Sequence, residues 1–181
     1  MIPIDPNNSK RPNDSQHLAL TEDVKVLTHD IIPNKDIVEI TLPSSLRRID
    51  DKAFQSCDKL LKVNMEEGLE SIGDFAFREC YRLKSLRIPD SVVRLGEYSM
   101  PINIQNITLP KGLEYLPRGL FHTCGSLQEV DIPNKVKSIG AYAFLRCENL
   151  VNVDFTSALE AIHTSAFAGC ESLIHMSSLK G

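Results

Sequence analysis

Leu69 to Pro89 reads LESIGDFAFRECYRLKSLRIP, and its layout decides the fold. Leu69 and Ile72 come first, and Gly73 follows as a turn. The segment Asp74-Phe75-Ala76-Phe77-Arg78-Glu79-Cys80 spaces its apolar residues as one or two helical turns would, with Asp74 placed to cap free backbone N–H groups. After Leu83, Leu86 and Ile88 alternate with Ser85 and Arg87, the period of a half-buried strand. Pro89 ends that strand because it has no N–H to give to a ladder.

Working outward, the same layout recurs with a period of 23 residues. Phe54, Phe77, Phe144 and Phe167 each follow an Ala and precede a Cys three positions on, at Cys57, Cys80, Cys147 and Cys170. Phe121 and Cys124 keep the pattern behind Leu120. Strand cores recur as Ile40/Leu42, Val63/Met65, Leu86/Ile88, Ile107/Leu109, Val130/Ile132, Val153/Phe155 and Met176/Ser178. Terminating prolines stand at Pro43, Pro89, Pro110 and Pro133. A period of this size is the mark of a solenoid, whose units bury their apolar faces only against their neighbours. One copy is worn: Met100-Pro101-Ile102-Asn103-Ile104 stands where Phe-x-x-Cys-x-x-Leu is usual, two residues short and without a cysteine. A flattening of the chain is expected there, since Pro101 interrupts a helix.

These residues resemble the BspA-type leucine-rich repeats, whose unit reads approximately LPxxLxxIxxxAFxxCxxLxxVx, over Ile37 to Ser178. The resemblance implies an α/β repeat solenoid: a curved, right-handed leucine-rich repeat coil with a parallel sheet on the concave face and short helices or turns on the convex face. It also implies a binding role without catalysis, as in surface adhesins and interaction proteins. The organisation expected is a disordered polar tail over 1–16, an N-terminal cap over 17–36, and a solenoid of about six units over 37–181 that stops in mid-unit, as a fragment of a longer array would.

Composition narrows the function classes. A net charge of −4 and a pI near 5.7 argue against nucleic acid, which needs clustered Lys and Arg. No apolar run approaches the roughly 18 residues of a membrane span. The opening stretch MIPIDPNNSKRPNDSQH lacks the apolar core of a secretory signal, which favours the cytoplasm. The five cysteines fall on the repeat period and lack the Cys-x-x-Cys or His pairing of a zinc site, so they read as a ladder of reduced thiols in the core. No cofactor and no metal is expected. The histidines show no His-Glu-x-x-His spacing, and there is no nucleophile elbow or phosphate loop. His122 lies two residues from Cys124, but the repeat aims the thiol inward and the imidazole outward.

The remaining candidate chemistry lies on the strands. Outward positions form two columns, and the candidate partner-binding residues among them are Lys62, Asn64, Ser85, Arg87, Asn106, Thr108, Glu129, Asp131, Asn152 and Asp154. Seven strands stacked about 4.8 Å apart make a continuous face on the order of 30 Å long. Lys62 and Arg87 stand toward one end, and Glu129, Asp131 and Asp154 toward the other. The expected function is a non-enzymatic interaction module that binds a protein partner through the concave face. The alternative is a cell-surface adhesin or self-associating scaffold that binds host protein or glycan. Exposed strand edges associate, so end-to-end contact at the C-terminal edge, Leu173 to Leu179, is a further expectation.

Overall fold

The computed structural model describes residues 17–32 and 35–178, with the side chains of His17, Ala19 and residues 175–178 excepted. The expected tail over 1–16, Pro33 of the expected cap and Leu179 of the expected edge lie outside the described residues.

Most repeats contribute two strands, one to each of two columns, and neighbouring strands of a column pair in parallel. The first column holds β1 (His17–Ala19), β3 (Glu39–Thr41), β5 (Lys62–Asn64), β7 (Ser85–Arg87), β9 (Asn106–Thr108), β12 (Asn152–Phe155) and β14 (His175–Ser178). The second holds two-residue strands: β2 (Val26–Leu27), β4 (Arg48–Ile49), β6 (Ser71–Ile72), β8 (Arg94–Leu95), β10 (Tyr115–Leu116), β11 (Ser138–Ile139) and β13 (Ala161–Ile162). Register follows the period, with Glu39 opposite Lys62 in one column and Arg48 opposite Ser71 in the other.

The interior is built from identical residues stacked on one another. Phe54, Phe77, Phe121 and Phe144 are fully buried, and their rings stack in two runs. Phe54 and Phe77 have centroids 5.0 Å apart; Phe144 lies 5.1 Å from Phe121 and 4.9 Å from Phe167. Fully burying a Phe is worth about 1.5–3 kcal/mol, so this column carries much of the stability. The expected thiol ladder lies beside it. All five cysteines are free, and four of them are fully buried. The Sγ of Cys80, Cys147 and Cys170 each donates 3.1 Å to the carbonyl of Phe54, Phe121 and Phe144 respectively. Each of these carbonyls also accepts the backbone N–H of the Cys in its own turn, so the thiol from the next coil fills its second lone pair. Burial pushes the Cys57 thiol up to about 11 and also raises Cys80 and Cys124.

The expected helices are not there. Among the described residues the only helix is a 3-10 turn, His29–Ile31, so the α/β assignment gives way to a β-solenoid. The reason lies in the backbone. Lys52 and Ser56, Phe75 and Glu79, and Tyr142 and Arg146 all have φ between 56° and 64°, the left-handed region. A helix sends each N–H to its own chain four residues back. Here alternate N–H groups leave the coil: those of Lys52, Phe54 and Ser56 reach the carbonyls of Asp74, Ala76 and Arg78 in the next coil at 2.8–3.0 Å. Those of Ala53, Gln55 and Cys57 close tight turns onto Asp50, Lys52 and Phe54. Apolar spacing alone could not tell the two apart, because both put Ala76, Phe77, Cys80 and Leu83 inside. Asp74 does not cap its own turn either. Its Oδ1 accepts from the Glu97 amide of the next coil at 2.8 Å, as Asp51 does from Asp74. Carboxylates after the first column act likewise, and the Lys111 amide bonded to Asp90 holds that carboxyl below its ordinary range.

The worn copy alters the stack as its sequence requires. Met100 takes the Phe position, 2% exposed, and separates the two runs of rings. Cys124 finds no Phe carbonyl there and donates to Pro101 at 3.4 Å instead. Ser99 replaces the usual Ala, and its buried Oγ has no hydrogen-bond partner among the described residues. On the outside Tyr98 bridges the gap: its ring stacks on Phe75 at 5.5 Å, lies against Gly119, and accepts at its hydroxyl from Arg118 Nε at 3.3 Å. A Cβ at Gly119 would meet the ring at 2.2 Å, so this packing needs glycine.

Candidate functional site

The ten candidate residues share the first column. Nine are exposed and Asn64 is half-buried, while of the residues between them Val63, Leu86, Val130 and Val153 are buried and Ile107 is half-buried. Strand alternation puts them there: with one set sealed into the core, the other must face out.

The face is not the continuous ladder the period suggests. Hydrogen-bonded pairing runs β1-β3-β5, then β7-β9, then Glu129 bridged to Asn152 and on through β12-β14. Two seams open between these pieces, and no backbone hydrogen bond crosses either one among the described residues. Glu129 to Asp131 is no strand at all beyond its single bridge. A depression of about 370 Å³ lies at the first seam, lined by Thr41, Asn64, Glu66 and Arg87. A larger one, about 460 Å³, lies at the second, with Arg87 at one rim, Gln105, Asn106 and Thr108 on its floor, and Glu129 and Asp131 at the other rim. A sequence period shows where strands recur but says nothing of whether neighbours reach ladder distance.

The charges sort into used and unused. Lys62 Nζ lies 2.8 Å from Glu39 Oε1 on the adjacent strand, and Asn64 Nδ2 donates to Glu39 and to Thr41 Oγ1 at 3.2 and 3.1 Å. These candidates hold each other, which removes them from the front rank. Asp154 also has an interaction partner. Arg87, Glu129 and Asp131 have neither an ion pair nor a hydrogen bond from their side chains among the described residues. The structure thus places the unspent charge on the two rims of the second seam.

A second surface escaped the sequence reading. The two-residue strands floor a groove of about 670 Å³ lined by Arg48, Arg94, Arg118, Tyr115 and Ser138 over Gly73, Gly96 and Gly140. Its signal was present in the outward residue between each second apolar pair, such as Ser71 between Leu69 and Ile72. Most of its polar groups are occupied. Arg48 pairs with Asp50 at 3.5 Å, Asp51 and Asp74 accept backbone amides, and Arg118 holds Tyr98. The glycines have a packing role: a Cβ at Gly96 would meet the Gly73 backbone at 2.2 Å. His163 stands exposed at the equivalent position in its coil, and His122 is half-buried edge-on to Tyr98, turned away from the buried Cys124.

Stacked parallel coils with a sealed core and one polar strand face define a solenoid repeat scaffold. The chain belongs to the BspA-type leucine-rich repeat family: the profile for "BspA type Leucine rich repeat region" matches residues 25–116 and 98–180, in 6 copies. Among curated proteins no sequence matches the chain. Solved structures share the fold. A leucine rich cell surface protein from Faecalibacterium prausnitzii aligns with 92% of this chain at 20% identity and a TM-score of 0.63. The pneumococcal vaccine antigen PcpA aligns with 78% at 25% identity and 0.57, and a T. pallidum leucine rich repeat protein with 91% at 24% identity and 0.52. The chain spans 60%, 39% and 64% of those three chains, less than two thirds of each.

Proposed function

We propose that this chain is a non-enzymatic interaction module that binds a protein partner through the concave face of its first strand column. The observation that carries the reading is the set of unspent charges, Arg87, Glu129 and Asp131, exposed on one sheet face around a depression. A solenoid keeps its interior constant and varies its outward strand positions, which suits selection of a partner rather than catalysis. The division into a cap over 17–36 and an array over 37–181 belongs to this reading, supported by β1 and β2 extending both columns ahead of the first full unit.

The test is capture of partners by wild type, by Lys62→Ser/Arg87→Ser/Asp131→Ser/Asp154→Ser, and by Arg94→Ser/Tyr115→Ser on the second groove. A partner lost only with the first variant supports the reading. One lost only with the second, or kept by both, refutes it.

A second reading is a cell-surface adhesin or self-associating scaffold that engages host protein or glycan. It draws support from the likeness to PcpA, described as a vaccine antigen, at 25% identity. End-to-end pairing at β14 is its self-associating form, and light scattering that gives a strict monomer at high concentration refutes that form.

A further inference from the structure

We infer that the depression between Arg87 and Glu129–Asp131 receives an extended peptide carrying one acidic and one basic side chain on the same face, four residues apart. This rests on the strand face being the binding surface. Arg87 lies on one rim of the 460 Å³ depression and Glu129 and Asp131 on the other, all exposed and without an ion pair or hydrogen bond among the described residues, Arg87 adding only the smallest of the causes that lower the Asp90 pKa. Opposite charges left unpaired across one depression are complementary to a dipolar ligand rather than to a uniformly charged one. A purely basic segment would meet Arg87, and a purely acidic one would meet the two carboxylates.

Spacing sets the ligand's length. Arg87 and Asp131 stand two coils apart, across one laddered step and one open seam, so their backbones are more than about 10 Å apart. Side chains alternate faces along an extended peptide, so two that both meet the depression lie an even number of residues apart, and four residues at about 3.3 Å each span about 13 Å. The sequence that fits is therefore acidic-x-x-x-basic, in either chain direction. Its three middle residues lie over Gln105, Asn106, Thr108 and Gln128, whose amides and hydroxyl both donate and accept. At the first seam Lys62 is already spent on Glu39, so the same ligand has no equivalent pair of rims there.

The probes are two capped synthetic peptides, Gly-Asp-Ser-Ser-Ser-Lys-Gly and its neutral analogue Gly-Asn-Ser-Ser-Ser-Gln-Gly, titrated into ¹⁵N-labelled full chain and followed by NMR. The dipolar peptide should give saturable shifts at Gln105, Asn106, Gln128 and Glu129 with a millimolar Kd, and the neutral one should bind about fivefold or more weakly. Arg87→Asp should abolish the preference. The swapped variant Arg87→Asp/Asp131→Arg/Glu129→Gln should restore it, because the peptide can lie the other way round. Equal shifts from both peptides, no saturation in the millimolar range, or a preference unmoved by Arg87→Asp would overturn the inference. A random peptide library selected on wild type separates this failure from that of the wider reading. Binders that map to the strand face without an acidic-x-x-x-basic pair overturn the depression alone, and binders that map elsewhere overturn both.

Discussion

Truncating Phe144 tests the ring column directly. Phe144 is fully buried and stacked on both sides, at 5.1 Å from Phe121 and 4.9 Å from Phe167. Phe→Ala in a core costs about 3–5 kcal/mol from lost transfer energy and the cavity left behind. Each stacked pair adds roughly 0.5–1.5 kcal/mol, so Phe144→Ala should lose about 4 kcal/mol or more. Phe167, half-buried with one stacked neighbour and Phe155 edge-on, should lose about 2 kcal/mol. The assay is urea unfolding followed by circular dichroism, which reads both the midpoint and the slope. Met100 separates the two runs of rings, and that gives the sharper test. Phe121→Ala with Phe144→Ala should show a coupling of about 0.5–1.5 kcal/mol, since the rings touch. Phe54→Ala with Phe144→Ala should add within about 0.5 kcal/mol. A loss below about 1.5 kcal/mol at Phe144 would refute the ring column as the main store of stability, and equal couplings in the two pairs would refute its division at Met100.

Other outcomes follow from single sites. Ser99→Ala should raise stability by about 1–2 kcal/mol in the same assay, because it removes a buried hydroxyl that has no partner among the described residues. Lys52→Gly should be neutral to stabilising by up to about 1 kcal/mol, since an exposed lysine there holds φ at 59° while glycine does so without strain; a loss above that amount would count against the turn geometry. The buried thiols keep their protons in the folded chain at a pH where the unfolded chain releases them, with Cys57 pushed up to about 11. Their contribution is whole below about pH 8.5 and falls as pH rises toward the folded value, by at most about 1.4 kcal/mol per unit per thiol. Urea midpoints at rising pH should therefore fall less steeply in Cys80→Ala than in wild type. Disulfide-exchange reagents at neutral pH should modify the half-buried Cys170 first and the other four only on unfolding.

Much of this was legible in one dimension. The period aligned Phe with Phe and Cys with Cys, and in a solenoid residues one period apart must stack, so the ring and thiol columns and the parallel register followed from counting. Period-two alternation likewise placed all ten candidate residues outside. What counting could not reach was the backbone between columns. A turn that alternates left-handed and right-handed residues buries the same apolar set as a short helix, so the missing helices turned on where alternate N–H groups go. The same holds for the site. Lys62 and Arg87 look equivalent in sequence, yet one is spent on Glu39 and the other faces an open seam. Composition and spacing determined the scaffold because burial repeats with the period. Which outward residues remain unspent was decided only in three dimensions, because pairing and ladder closure depend on distances between coils that no single repeat encodes.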